Sequence, residues 1–293
     1  MKDYLIRAID KSGSIRLFAA TTTNLVEEAR RIHETSATVT AALGRTLTIG
    51  AMMGKIMKND QDILTLKING NGPVGGMIAV ANNKGEVKGV ANNPKADLPA
   101  RESDGKLDVR GIVGDNGTIT VIMDLGLKEP YVGQTSLVTG EIAEDIANYY
   151  MVSEQTPSVV SLGVLVDKDI SCRAAGGFMI QVLPDTEEED IVKIEKAIEN
   201  LEPVSTMIDN GMSPEDIMNR VLGDFEMEIL EKSPLEYYCN CNREKIESVI
   251  VSLGNKEIEN IIEEDKQAEV VCHFCNTKYQ FDEEELEGLL DYK

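Results

Sequence analysis

Four of the five cysteines fall into two short clusters, Cys239-Asn-Cys241 and Cys272-His-Phe-Cys275, with thirty residues between them. Two local thiol pairs bracketing a region that reads as helical make a full tetrahedral ligand set for one structural zinc ion per chain. Cys272-His-Phe-Cys275-Asn-Thr-Lys-Tyr has the form of a zinc-knuckle turn. His273 lies between two of the ligands and is a possible substitute for one, but four cysteines suffice.

The C-x-C spacing of the first pair adds a second chemistry. Alternate residues of an extended segment project to one side about 6.6–7 Å apart. A turn brings both sulfurs to the ~2.3 Å bonding distance of zinc. A disulfide prefers Cα atoms about 5.5–6 Å apart, so an oxidised C-x-C ring is strained and easily reduced. Such bonds are the labile, regulatory kind. The cluster therefore suits two states, metal-bound when reduced and disulfide-paired when oxidised. Oxidation removes thiolate ligands, and in small zinc domains metal binding of about 10–16 kcal/mol is also the folding free energy. Losing the metal should melt the tail, loosen whatever docked segment depends on it and uncover apolar surface.

The remaining chain must position these thiols. Residues 1–180 read as a mixed unit in which the strand-like runs YLIRAI, SIRLFAA, DILTLKI, MIAVA, EVKGVA, TITVIMDL and TSLVTG are separated by turn residues, predicting antiparallel hairpins. Between them, residues 24–58 read as one or two helices. The second part is rich in Ala, Gly, Thr and Met with charge on no face, which predicts a helix buried all round between sheets. A third helix is signalled at 140–155, with Ile142, Ile146 and a tyrosine on one face and Pro157 beyond its end. The run VLVDKDISCRAAGGFMIQVLP returns to strand character.

Residues 181–232 form short amphipathic pieces. One has Thr186 and Glu189 at capping-box spacing, with Ile191, Ile194, Ile198 and Leu201 in line; another has Ser213 as N-cap, Pro214 at the first helical position and Gly223 beyond its end. Helices of two or three turns are marginal alone and need a surface to dock on. Residues 233–293 then hold a helix with Ile246, Val249, Ile250 and Leu253 in line, a second around 257–264, a strand into Cys272 and an acidic helix capped by Asp282 with Glu285. The expected architecture is thus α+β: a core domain at 1–180, a helical linker docked on it at 181–232, and a small zinc-binding domain at 233–293.

Charge removes several functions. The net charge is −22, and residues 181–293 carry 30 acidic against 10 basic side chains, whereas residues 1–180 carry 21 against 19. Nucleic acid and acidic membranes need cations, so the cysteine-bearing half has the wrong sign for both. The least charged stretch, 36–57, contains Arg45, four threonines and three glycines, which argues against a membrane span. The first residues alternate charge and apolarity and lack the continuous apolar run of an export signal, so a reducing cytoplasm is the expected compartment. Gly70, Gly72 and Gly75 match G-x-G-x-x-G, but Pro73 interrupts the turn and a hairpin follows where a dinucleotide site needs a helix. With His33 and His273 as the only histidines, histidine catalysis has little to work with. Cys172 lies in an apolar strand pattern and reads as a buried thiol.

Together with GEIAEDIANYYMVSEQTPS at 140–158 and RAAGGFMIQVLP at 173–184, the two cysteine motifs resemble the redox-regulated 33 kDa chaperonin, the heat-shock protein 33 family, over nearly the whole chain. That resemblance implies an ATP-independent holdase, not an enzyme, that binds unfolding or oxidatively damaged proteins under heat and oxidative stress. It implies Zn2+ held by Cys239, Cys241, Cys272 and Cys275 in a quiescent reduced form. On oxidation it implies Cys239–Cys241 and Cys272–Cys275 disulfides, release of zinc, and unfolding of the switch and linker. It also implies a homodimer in the active form and hand-over of clients to ATP-dependent foldase chaperones. Two other classes fit parts of the pattern: a thiol–disulfide oxidoreductase using the C-terminal C-x-x-C, and a zinc-ribbon adaptor that binds a protein partner constitutively.

Overall fold

The helix Ala37–Gly54 is buried on every side, with Ala37 and Arg45 its only residues outside the buried class, in the computed structural model, which describes residues 2–184 and 186–290. Its threonines are tolerated there because Thr46 and Thr48 donate to the carbonyls of Ala42 and Gly44 four residues back (2.9 and 2.8 Å), and Thr48 pairs with Thr22 at 2.7 Å.

The chain divides into two compact units, Met1–Tyr238 and Cys239–Lys293. The first opens with β1 (Tyr4–Asp10) and β2 (Ile15–Thr21), then α1 (Thr23–His33) and α2, the buried helix. A meander of β3 (Ile63–Gly70), β4 (Met77–Asn82) and β5 (Glu86–Ala91) follows. The short α3 (Val109–Val113) precedes β6 (Gly117–Asp124) and β7 (Tyr131–Ser136). Next come α4 (Ile142–Val152), β8 (Ser158–Val166) and β9 (Cys172–Val182). After these stand α5 (Glu188–Glu199), α6 (Val204–Asp209), α7 (Pro214–Leu222), β10 (Met227–Pro234) and β11 (Glu236–Tyr237).

Two sheets enclose α2. One has the order β10-β1-β2-β9-β8 and is antiparallel throughout; the other has the order β11-β5-β4-β3-β6-β7, with only β11 parallel to its neighbour. The α+β arrangement of a helix between antiparallel sheets is as the sequence predicts. The segment TSLVTG is not a strand as a whole: β7 ends at Ser136, and Leu137–Gly140 forms the turn into α4, where the buried Asp145 carboxylate accepts from the amides of Val138 and Thr139 (2.7 and 3.0 Å). The glycine-rich turn at 70–76 joins β3 to β4 and opens no helix. Its Gly72 amide donates to the Val113 carbonyl at 2.9 Å, and a Cβ at Gly72 would collide with that backbone.

The outer face of the first sheet is apolar and is covered by α5, α6 and α7. Ile6, Ala8, Leu17, Ala19, Phe178 and Ile180 of the sheet pack against Ile194, Val204, Met207, Ile217, Val221 and Leu222 of the helices. Burying each such large side chain is worth about 1.5–3 kcal/mol. Ser213 caps α7 in a full capping box with Asp216, with Pro214 at the first helical position. Thr186 does not cap α5; its hydroxyl donates to the carbonyls of Leu183 and Ser14 (2.7 and 3.0 Å), and Glu187 takes the N-cap position without a side-chain bond. Polar ties hold the rim: Tyr4 donates to Glu215 at 2.5 Å, Lys232 pairs with Glu215 at 2.8 Å, and Arg173 with Asp209 at 2.7 Å.

At β8, α6 approaches so closely that a Cβ on Gly163 would lie 2.7 Å from the Ser205 amide nitrogen and 2.9 Å from its Cβ. Gly163→Val is therefore expected to lift α6 from the sheet at a cost of about 1–3 kcal/mol. The check is the urea unfolding midpoint and binding of an apolar dye by the reduced protein; an unchanged midpoint with no dye bound would show that α6 accommodates the side chain.

The second unit contains α8 (Arg243–Val251), α9 (Asn255–Glu264), β12 (Gln267–Val271), β13 (Lys278–Asp282) and α10 (Glu283–Leu290). Its core holds six buried apolar residues, Ile246, Ile250, Ile258, Phe281, Leu286 and Leu289. Val249 and Leu253, expected on the buried stripe, are 53% and 55% exposed: Leu253 lies beyond the end of α8 at Val251, and within α8 only Ile246 and Ile250 are buried. Asp282 and Glu285 make the expected reciprocal cap at 2.9 and 3.1 Å. Among the described residues no helix is long and apolar enough to cross a membrane.

Candidate metal centre

β12 and β13 pair antiparallel from Gln267↔Asp282 to Val271↔Lys278, and the turn between them carries the second cysteine pair. That turn is tight. The Cys272 carbonyl accepts from the amides of Cys275 (3.3 Å) and Asn276 (2.8 Å), and the Cys272 amide donates to the Thr277 carbonyl at 2.9 Å. Asn276 takes a left-handed conformation at φ 56°, which Asn tolerates better than most residues. The first pair lies on the stretch before α8, whose N-cap Asn242 accepts from the Lys245 amide at 2.9 Å. A cap and a hairpin turn thus fix the two pairs.

All four sulfurs lie within 4.8 Å of one another. Cys239 Sγ is 3.7 Å from Cys272 Sγ, and Cys241 Sγ is 3.3 Å from Cys275 Sγ. A tetrahedron with ~2.3 Å zinc–sulfur bonds has edges of about 3.8 Å, so the separations fit one soft cation held by sulfur alone. Each of the four is half-buried, enough to shed bulk water while staying within reach of small oxidants. His273 is exposed and is not one of the cluster.

Two neighbours that sequence reasoning missed touch the sulfurs. Tyr279 donates its hydroxyl to Cys241 Sγ at 3.2 Å, and Thr277 Oγ1 lies 3.2 Å from Cys275 Sγ. The signal available in the sequence was proximity alone, since Thr277 and Tyr279 follow the C-x-x-C within four residues, the first in the turn and the second on β13. As thiols the four are not equivalent. Burial pushes Cys239 up to about 12 and raises Cys241. Burial also acts to raise Cys275, but hydrogen bonds from Thr277 and from the sulfurs of Cys241 and Cys272 outweigh it and bring that thiol down to about 7.

The C-x-x-C turn lies between two antiparallel strands, not at a helix N-terminus in a thioredoxin-like setting, which disfavours an oxidoreductase site. The fifth cysteine plays no part here. Cys172 is buried at the start of β9, and burial, followed by the charges of Glu27 and Asp3, pushes its thiol up to about 12. His33 is buried in the last turn of α1 with Nε2 3.1 Å from the Tyr237 hydroxyl, which donates to the Gly89 carbonyl at 2.9 Å.

The family model described as Hsp33 protein matches residues 3–282. The chain belongs to the Hsp33 family. Among similar Hsp33 proteins, the 33 kDa chaperonin of Lachnoclostridium phytofermentans is 52% identical over 290 residues, covering 99% of each chain. That of Bacillus subtilis strain 168 is 50% identical over 289 residues, covering 99% of this chain and 98% of its own. The crystal structure of the Hsp33 homologue from Thermotoga maritima, a 33 kDa chaperonin, superposes with a TM-score of 0.91 at 40% identity and covers 100% of this chain and 99% of that one.

Proposed function

We propose that this Hsp33-family protein is a chaperone of the holdase type, not an enzyme, whose capture of unfolding polypeptides is gated by oxidation of Cys239, Cys241, Cys272 and Cys275. The observation that carries this reading is the four-sulfur cluster, drawn from two separate stretches of a unit with six buried apolar residues among those described. Zinc, when bound, supplies four metal–sulfur bonds that tie 239–241 to 272–275. A unit so small is close to the lower limit of independent stability. Its fold therefore rests on the thiolates keeping their charge.

With a peroxide as oxidant, Cys239 and Cys241 form one S–S bond and Cys272 and Cys275 another. Each bond consumes one peroxide molecule, and the two thiol protons leave in the two waters formed. Two sulfur contacts, Cys239 with Cys272 and Cys241 with Cys275, run across the motifs and link them while the thiols are reduced. We further read residues 181–232 as a linker whose helices leave the outer sheet face once the tail has melted, exposing the apolar side chains beneath. A cytoplasmic location, a homodimeric active form and hand-over to ATP-dependent foldases complete the reading.

The test is light scattering of a heat-unfolding client without ATP. Peroxide-treated, metal-free protein is expected to suppress scattering at near-stoichiometric ratios, and the reduced, zinc-loaded protein to have little effect. Equal suppression by both forms would reject gating and favour a constitutive adaptor. Turnover of a disulfide substrate would favour an oxidoreductase.

A further inference from the structure

Although the chain is strongly acidic, one cavity of the first unit, about 600 Å3 in volume, is lined by five cations against two carboxylates. Arg7 comes from β1, Arg16 from β2, Lys55 and Lys58 from the end of α2 and the turn after it, and Lys84 from the turn between β4 and β5. The carboxylates are Asp60 and Glu231.

Those two acids pair with only some of the cations around them. Glu231 is committed to Lys55 Nζ at 2.6 Å and to the Ser233 hydroxyl at 2.7 Å, and reaches Arg7 only at 3.7 Å. Asp60 stands 3.9 Å from Lys84. The Arg16 guanidinium bonds through Nε and Nη2 to one neutral oxygen, Gln181 Oε1, at 3.0 and 2.7 Å. Arg7 Nε is fully buried and has no hydrogen-bond partner. The side chain of Lys58 has no carboxylate within ion-pair distance among the described residues. A guanidinium withdrawn from water without an anion is costly, and an unmet buried donor adds to the cost. Arg16 is a guanidinium with only a neutral partner, and Arg7, although 35% exposed and loosely paired with Glu231, leaves its buried Nε donor unmet; the cavity they line has a surplus of three positive charges.

We propose that this cavity is a binding site for a small polyvalent phosphate anion, held by the Arg7 and Arg16 forks with Lys58 as a third charge. Guanidinium forks match tetrahedral phosphate oxygens, and a dianion or trianion matches the surplus where a single carboxylate does not. Glu231 keeps Lys55, so the anion completes the site without displacing an existing pair. None of the lining residues belongs to the cysteine-bearing unit, so binding is expected in the reduced, zinc-loaded protein and is independent of the redox reading.

The experiment titrates the full-length reduced protein with pyrophosphate in low-salt chloride buffer, following the arginine Nε–Hε resonances by NMR and heat by calorimetry. Arg7 and Arg16 signals should shift together along one saturating isotherm. The double variant Arg16→Gln, Lys58→Gln should bind at least about tenfold more weakly, the effect expected of losing charge-assisted bonds. Lys193→Gln, on α5 and away from the cavity, should bind as the parent does. Inorganic phosphate and a nucleoside triphosphate form the other arms. Equal affinity for pyrophosphate and the nucleotide would mark bare phosphate chemistry, and a tighter nucleotide would keep the phosphate site and add a base contact. Absence of shifts at both arginines, or undiminished binding by the double variant while its fold is intact by NMR, would overturn the proposal.

Discussion

Replacing Cys272 and Cys275 together by serine is expected to abolish zinc retention, from one ion per chain to none, and to unfold residues 239–293 while leaving the first unit folded. The size of the effect follows from two magnitudes. Metal binding in small zinc domains contributes about 10–16 kcal/mol, as much as or more than the whole stability of an ordinary domain, about 5–15 kcal/mol. Against that loss the unit has, among its described residues, six buried apolar side chains, and its acidic residues outnumber the basic ones. Serine hydroxyls are not thiolates, and two sulfurs cannot close a tetrahedral site. Metal analysis of the purified variant checks the first half of the expectation. Amide exchange checks the second: the amides of 243–282 should exchange as in a free peptide while those of the two large sheets stay protected. Cys172→Ser is the matched control, since that thiol is buried in the first unit and belongs to no cluster. Unchanged zinc in the double variant would remove the four-sulfur centre, and with it the lever on which gating depends.

Much of this was legible because local rules agree with the global fold. The unbroken Ala, Gly, Thr and Met composition of 37–54 leaves no polar face, so the helix had to be enclosed, and the threonines find partners within the helix. The metal centre was legible because C-x-C and C-x-x-C are local constraints. Their meeting, however, depends on the β12–β13 hairpin and on the cap at Asn242, neither of which alters the ligand count. What could not be read was set by long-range pairing. Residues 227–234 alternate like any strand, but only the partner β1, more than 200 residues earlier in sequence, places them in the first sheet. Thr186 shows the same limit at smaller scale. Its spacing to Glu189 fits a capping box, yet the Ser14 carbonyl on a distant turn competes for the hydroxyl. The cationic cavity was hidden for the same reason, since its charges come from separate elements of a chain whose net charge has the opposite sign.

Met207→Asp is expected to make the protein a holdase even when reduced and zinc-loaded. Met207 is fully buried between α6 and the outer face of the first sheet. Placing an unpaired carboxylate there costs several kcal/mol, whether it is charged or held neutral by a raised pKa. A layer of three short helices held mainly by a handful of apolar contacts cannot absorb that locally, so the least costly response is for α6 and its neighbours to leave the sheet. The face they uncover includes Leu17, Phe178 and Ile180, all 1% exposed or less. Those side chains are then available to an unfolding polypeptide with every cysteine still reduced. The variant should therefore bind an apolar dye and suppress client scattering to the level of oxidised parent protein, with full zinc content. Val192→Asp, at a position already 37% exposed on α5, should do neither. A Met207→Asp protein that binds dye yet fails to hold the client would place the capture surface elsewhere, because it would have the same face bare without the activity.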